Sequence, residues 1–169
     1  MNNVVAAIEY DGTMFQGSQK QPDSRTVQGC FDESLSKIHK KQVLSEFASR
    51  TDSGVHASNQ VVNFKTGLDI HPNDWVQILN HYLPQDIRVF KCDKTNNEFD
   101  VRRDAFEREY TYKIITGKRI SPIENKYYEN ISENLNLDIL ESAKKIFLGE
   151  HNFLSFTGRL LPKNANTIR

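Results

Sequence analysis

Residues 46–64 read EFASRTDSGVHASNQVVNF, and this stretch decides the fold. Apolar and β-branched residues at its two ends predict strands over Gln42 to Ala48 and Gln60 to Phe64. The polar run between them predicts a loop that joins these strands. Asp52 is therefore expected on a turn at the edge of a sheet, away from the core.

The segments on either side of this stretch alternate between strand and helix patterns. A strand is predicted over Val4 to Tyr10, a helix capped by Thr26, a helix that begins at Pro72, and a strand over Ile87 to Cys92. Apolar residues recur every three or four positions in both helices: Val27, Phe31, Leu35 and Ile38, then Trp75, Ile78, Leu79 and Tyr82. The order strand, helix, strand, strand, helix, strand predicts an α+β domain of the ferredoxin-like (split βαβ) type with an antiparallel sheet.

We predict that this N-terminal domain covers residues 1–98. Residues 99–169 then form a connector and an incomplete second α+β domain, with a strand over Tyr110 to Thr116. A further helix is indicated by Leu137, Leu140, Ala143 and Phe147, and Gly149 is expected to end it.

The composition is that of an ordinary globular protein without excess charge. Hydrophobic residues make up 37% of the 169 residues, and Lys plus Arg and Asp plus Glu both number 22. Bulk charge therefore does not indicate a nucleic-acid partner, although a local basic surface could still serve one. Cys30 and Cys92 have no metal-ligand spacing, and no apolar run reaches membrane-spanning length. We expect a cytoplasmic protein with no membrane partner.

The loop RTDSGVHASNQ allows a structural interpretation and three chemical ones. Thr51, Asp52 and Ser53 could simply shape a turn, with Gly54 at a positive φ. A Ser53-His56-Asp52 triad is disfavoured because such groups normally converge from separated segments. A metal site would use Asp52 and His56 with His39, His71 or His81, but no paired spacing supports it. The last interpretation is a lone carboxylate, Asp52, that acts as nucleophile or general base and is kept ionised by Arg50.

Several motifs in the chain occur together and in the order seen in one enzyme family. They are YDGTMFQGSQKQ, RTVQGCFDESL, SRTDSGVHASNQVVNF, LPQDI, FDVRRDA, REYTYKI and FLGEHNFLSF. In this respect the sequence resembles the tRNA pseudouridine synthase A family over essentially its whole length. RTDSGVHA alone is a specific signature of that family.

The resemblance implies an isomerase, an intramolecular transferase with the pseudouridine synthase fold. Such an enzyme detaches uracil from its ribose in RNA, rotates the base, and rejoins it through carbon. It implies no metal and no cofactor, with Asp52 as the catalytic residue. Whether this carboxylate first adds covalently or acts as a base stays open.

The resemblance also implies a partner and further site residues. The partner is the anticodon stem-loop of tRNA, at positions 38, 39 and 40. Arg50 is implied to pair with Asp52 and to occupy the space left by a flipped base. Tyr110 is implied to stack on the target base, and Arg102 to contact RNA phosphate.

Two positions depart from the family pattern, and the family proteins are longer. Ser49 stands where a glycine often precedes RTD, and Ser18 where a tryptophan is common, which removes a packing aromatic. Family proteins continue through a segment that completes the second domain and supports a homodimer. The alternative prediction is therefore a non-catalytic tRNA-binding module, or an inactive truncated form on the same scaffold. A third alternative is a metal-dependent hydrolase that uses Asp52 and His56.

Overall fold

A computed structural model describes residues 1–117, 119–157 and 167–168 of the chain. The chain divides into two compact units, Met1–Tyr110 and Thr111–Arg169. Residues 99–110 thus belong to the first unit, and the domain boundary predicted after residue 98 stays a prediction. Residues 118, 158–166 and 169, which the predicted second domain includes, lie outside the described residues.

The first unit has the α+β order predicted from the sequence. Its elements are β1 (Asn2–Tyr10), α1 (Val27–His39), β2 (Ser45–Phe47), β3 (Ala57–Thr66), α2 (Pro72–Tyr82) and β4 (Ile87–Thr95). The strands form one sheet in the order β2-β3-β1-β4, and every neighbouring pair is antiparallel. This arrangement is the ferredoxin-like one, and it is consistent with the pseudouridine synthase fold.

The two helices of the first unit begin at side chains that satisfy free backbone amides. Thr26 Oγ1 accepts a hydrogen bond from Gly29 N–H at 3.2 Å, and His71 Nδ1 accepts one from Asn73 N–H at 3.3 Å, with Pro72 in the first turn of α2. Both helices bury their apolar stripes against alternate residues of the strands. The fully buried side chains include Val27, Phe31, Leu35, Trp75 and Leu79 of the helices, and Val4, Ile8, Val62, Phe64 and Val89 of the strands. Each such burial stabilises the fold by about 1.5–3 kcal/mol, so this core fixes the positions of β2 and β3.

Strands β2 and β3 differ in length, and this difference creates the loop between them. β2 ends at Phe47, which lies opposite Val62, and Ala48 N–H still donates to Val61 O at 2.9 Å. β3 already begins at Ala57, where its partner is Tyr10 of β1. Residues 49–56 therefore leave the sheet at its edge and lie next to the end of β1.

The described residues of the second unit contain a short parallel strand pair, one α-helix and a 3₁₀ turn over Leu154–Phe156. β5 (Ile114–Thr116) pairs with β6 (Glu129–Ile131), and α3 spans Leu137–Phe147. The prediction of a strand over Tyr110 to Thr116 is wrong for its first part, because β6 offers β5 only three partner residues. The predicted helix is confirmed, and Gly149 follows it at a φ of +95°. No helix among the described residues is long and apolar enough to cross a membrane.

Candidate functional site

Asp52 begins a tight turn in the loop between β2 and β3. Val55 N–H donates to Asp52 O at 3.2 Å, and Gly54 has a φ of +80°. A positive φ at the third position, after a residue with negative φ, is the geometry of a type II turn, in which glycine is favoured. The side chains of Asp52 and Ser53 are exposed. The expected turn is thus present, and it presents a carboxylate to solvent.

Thr51, the residue before Asp52, is held on three sides. Its N–H donates to Ser18 Oγ at 2.8 Å, and its carbonyl accepts from Ser18 N–H at 3.0 Å. Its hydroxyl lies 2.9 Å from the Tyr10 hydroxyl, whose pKa is raised by burial. Ser18 and Tyr10 are only 1% and 4% exposed. Ser18 stands where related proteins often have tryptophan, and its effect is not only the absence of an aromatic side chain. It forms hydrogen bonds with both backbone groups of Thr51.

Two glycines let the segment 12–17 approach this loop closely. A Cβ on Gly12 would lie 2.0 Å from Val55 O, and one on Gly17 would lie 2.9 Å from Thr51 O. Gly17 also has a φ of +87°, a conformation that other residues rarely adopt. The segment therefore forms a seat for residues 51–55 that requires glycine at both positions.

His56 and Ser53 face the same seat and not each other. His56 Nδ1 lies 3.0 Å from Gly12 N and 3.2 Å from Asp11 Oδ1. When Nδ1 carries no proton, it accepts a hydrogen bond from the Gly12 amide. When Nδ1 is protonated, it donates a hydrogen bond to Asp11. Ser53 Oγ donates to Phe15 O at 3.3 Å. These contacts favour a structural role for both side chains, and they do not form the disfavoured triad.

A pocket of about 370 Å³ lies beside this loop, within the first unit. Its lining residues are Phe47, Ala48, Ser49, Arg50, Arg102, Arg108 and Tyr110. It brings together Arg50, Arg102 and Tyr110, which the sequence resemblance assigns to substrate binding. Asp52 does not line it, but lies two residues beyond Arg50. All charged side chains of the lining are arginines, so the pocket attracts anions.

Arg102 reaches this pocket from a turn that Asp100 organises. The Asp100 carboxylate accepts from Arg103 N–H and Arg102 N–H at 3.0 and 2.9 Å, and these bonds lower its pKa. Arg102 Nε donates to Phe47 O at 3.2 Å, and Val101 is 2% exposed. Arg102 is therefore neither a freely solvated charge nor wholly available to a ligand.

Two residues at the site are absent from our sequence-based assignment. Arg108 donates from Nε to Ser49 Oγ at 3.0 Å, and from Nη2 to Ala48 O and Arg102 O at 3.3 and 3.2 Å. Gln60 binds both backbone groups of Ser49, at 3.2 Å to its N–H and 2.8 Å to its carbonyl. Arg108 stands two residues before Tyr110 in REYTYKI, and that proximity is the only signal the sequence gives for it.

The Arg50 and Asp52 side chains are not paired with each other. Within the described part of the chain, no ion pair joins the Arg50 guanidinium to the Asp52 carboxylate. Their pairing stays a prediction. In the same residues, no cluster of three or more His, Cys, Asp or Glu side chains could hold a metal ion.

Comparisons with known proteins connect these features to one family. The family model described as tRNA pseudouridine synthase matches residues 6–104. The chain is 36% identical over 170 residues to a tRNA pseudouridine synthase A of Oceanobacillus iheyensis, covering 100% of this chain and 67% of the relative. It is 40% identical over 169 residues to one of Pseudothermotoga lettingae, with 100% and 69% covered.

A third relative gives a similar result over a slightly shorter alignment. The chain is 36% identical over 156 residues to tRNA pseudouridine synthase A 2 of Clostridium perfringens, covering 92% of this chain and 64% of the relative. The chain thus spans about two thirds of the length of the curated relatives it matches. The matched region contains β1 to β4, the loop with Asp52, and the segment with Arg102. The chain belongs to the tRNA pseudouridine synthase family.

Proposed function

We propose that the protein isomerises uridine to pseudouridine in tRNA, with Asp52 as the reacting carboxylate. The observation that carries this proposal is the turn geometry: Asp52 is exposed while Thr51 beside it is fixed by hydrogen bonds to Ser18. An exposed carboxylate on a fixed backbone can meet a nucleotide without rearrangement of the loop. The overall reaction breaks the bond from C1′ to N1 of uracil and forms one from C1′ to C5. C5 loses a proton and N1 gains one, so the atoms balance.

The pocket beside the turn supports RNA as the substrate. Its arginines, Arg50, Arg102 and Arg108, suit phosphate oxygens, and the Tyr110 side chain is 79% exposed, so its face is accessible to a base. A uridine in a stem or loop must leave its stack to reach Asp52, and Arg50 is the side chain best placed to occupy the vacated space. We assign substrate binding to Arg50, Arg102 and Tyr110 on these grounds.

The finer parts of the proposal rest on family membership. We propose the anticodon stem-loop as the target, the cytoplasm as the location, and a homodimer as the assembly. Sedimentation of the protein tests the dimer. A tRNA whose anticodon stem-loop uridines are replaced by cytidines tests the target, because it should then yield no product.

The central experiment is mass-spectrometric mapping of pseudouridine in tRNA incubated with the protein. We expect pseudouridine with the native sequence and none with Asp52→Ala, while both bind tRNA within about threefold of each other. Asp52→Asn is the matched control for shape, since it keeps the size of the side chain and removes its charge. Normal turnover in either variant would exclude Asp52 as the reacting group. Binding without product from the native sequence would favour the non-catalytic module.

A further inference from the structure

Ser49 has a bonding pattern that a glycine at this position could not have. Gln60 binds its N–H and its carbonyl, and Arg108 Nε donates to its hydroxyl. The φ of Ser49 is not positive, so the backbone here does not require glycine. The Ser49 hydroxyl therefore adds one hydrogen-bond acceptor to a residue whose backbone is already held by Gln60.

Arg108 uses this acceptor to join two segments of the first unit. Its Nη2 donates to Ala48 O and to Arg102 O, while its Nε holds Ser49. The planar guanidinium makes these bonds as a fixed fork, which a lysine cannot reproduce. Arg50, which follows Ser49 in the chain, lines the pocket. The direction of Arg50 thus depends on a backbone that Arg108 holds from one side and Gln60 from the other.

We propose that Arg108 and Ser49 form a positioning pair that fixes the backbone at residues 48–49 and so orients Arg50 toward the substrate. This inference rests on the proposed function, and it gives Ser49 and Arg108 a role other than the phosphate contact for which the arginines of the pocket are suited. A direct phosphate contact by Arg108 would be a different role, because it would require only the positive charge. The two roles differ in what a lysine can replace.

The test measures turnover and tRNA binding for Ser49→Ala, Arg108→Lys and the double variant. We expect Ser49→Ala to lower kcat by about three- to tenfold, the range expected for loss of one hydrogen bond. Arg108→Lys should lower it at least as much, because it also loses the two bonds from Nη2. Binding should change by less than about twofold, because neither variant removes a charge. The double variant should be no slower than Arg108→Lys, since both changes remove the same bond. Ser49→Thr keeps the hydroxyl and should restore native turnover.

Arg103→Lys is the matched control, since it makes the same exchange at an arginine of the same segment that does not line the pocket. Arg103 is bonded to Asp104 and Glu98 O, and we expect native kcat from this variant. Native kcat in Ser49→Ala or Arg108→Lys would overturn the positioning pair, as would single effects that multiply in the double variant.

Amide hydrogen exchange separates failure of this inference from failure of the proposed function. We expect the backbone amide of residue 49 to exchange about three- to tenfold faster in Ser49→Ala and Arg108→Lys, with an unchanged melting temperature. This result does not depend on activity. If the native protein makes no pseudouridine, the proposed function fails while faster exchange still supports the pair. Unchanged exchange overturns the pair whether or not the protein is active.

Discussion

Thr51 and Asp52 are neighbours in the chain, yet their surroundings differ completely. The backbone and hydroxyl of Thr51 are bonded to Ser18 and Tyr10, both of which are buried. The Asp52 side chain is exposed at the start of the turn. The contrast shows how a small domain can combine an exposed carboxylate with a rigid support, because one residue provides the attachment and the next extends its side chain into solvent. Stability and activity should therefore separate at these two positions.

Gly12→Ala should have the largest effect on the supported side. The added Cβ would lie 2.0 Å from Val55 O, so the backbone of one segment has to move. Overpacking of this kind costs about 3 kcal/mol. We expect that loss in the free energy of unfolding, measured by urea titration with the fluorescence of Trp75, the only tryptophan and a fully buried one. An alanine variant as stable as the native protein would show that the backbone of residues 12–17 can move away from Val55 without a loss of stability.

Ser18→Ala should have the next largest effect. It leaves Thr51 N–H without its acceptor in a partly buried place, which costs about 1–2 kcal/mol. The same urea titration measures this loss. The control is Ser24→Ala, at a half-buried residue whose hydroxyl donates to the Gln16 side chain and not to the loop of Asp52. Equal stability of the two variants would contradict the role given to Ser18.

Tyr10→Phe should have a smaller effect, because it removes the hydroxyl that contacts Thr51 Oγ1 and leaves the backbone bonds between Ser18 and Thr51 in place. The ring keeps its place in the core, and we expect a loss of about 0.5–1 kcal/mol. Turnover should fall only slightly, since Ser18 still holds the backbone. A loss of turnover as complete as that from Asp52→Ala would mean that Tyr10 does more than support.

Asp52→Ala should leave stability almost unchanged while abolishing turnover. The exposed carboxylate makes no hydrogen bond or ion pair with any described residue, so the unfolding free energy should stay within about 0.5 kcal/mol of native. The titration and the pseudouridine assay are performed on the same preparation. A marked loss of stability would remove the contrast between positions 51 and 52.

The fold was largely predictable because its signals are local. Apolar periodicity predicts α1 and α2, and Thr26 and Pro72 mark their starts where the structure has them. The strand predicted over Tyr110 to Thr116 is too long, because the structure has a strand only over Ile114–Thr116. Aromatic and β-branched residues at 110–113 suit a strand, but strand pairing depends on a distant partner.

The site was predictable in its residues more than in its contacts. Motif resemblance identified Arg50, Arg102 and Tyr110, which the structure places around one pocket. No pattern in the sequence indicates that Ser18 binds Thr51 or that Arg108 binds Ser49. Those bonds join residues 33 and 59 positions apart, and only the folded backbone decides which side chains meet at such separations.

The hydrogen bonds behind the turn also bear on how the protein folds. They connect residues 10–18 to residues 51–56 across separations of 33 to 44 positions. Closing such loops costs entropy before any contact stabilises them, so the turn cannot become ordered ahead of the sheet. During synthesis the seat emerges from the ribosome well before the residues it holds. The Asp52 carboxylate is therefore set in place only when β1 and β3 have paired, and the geometry of its turn forms together with the fold.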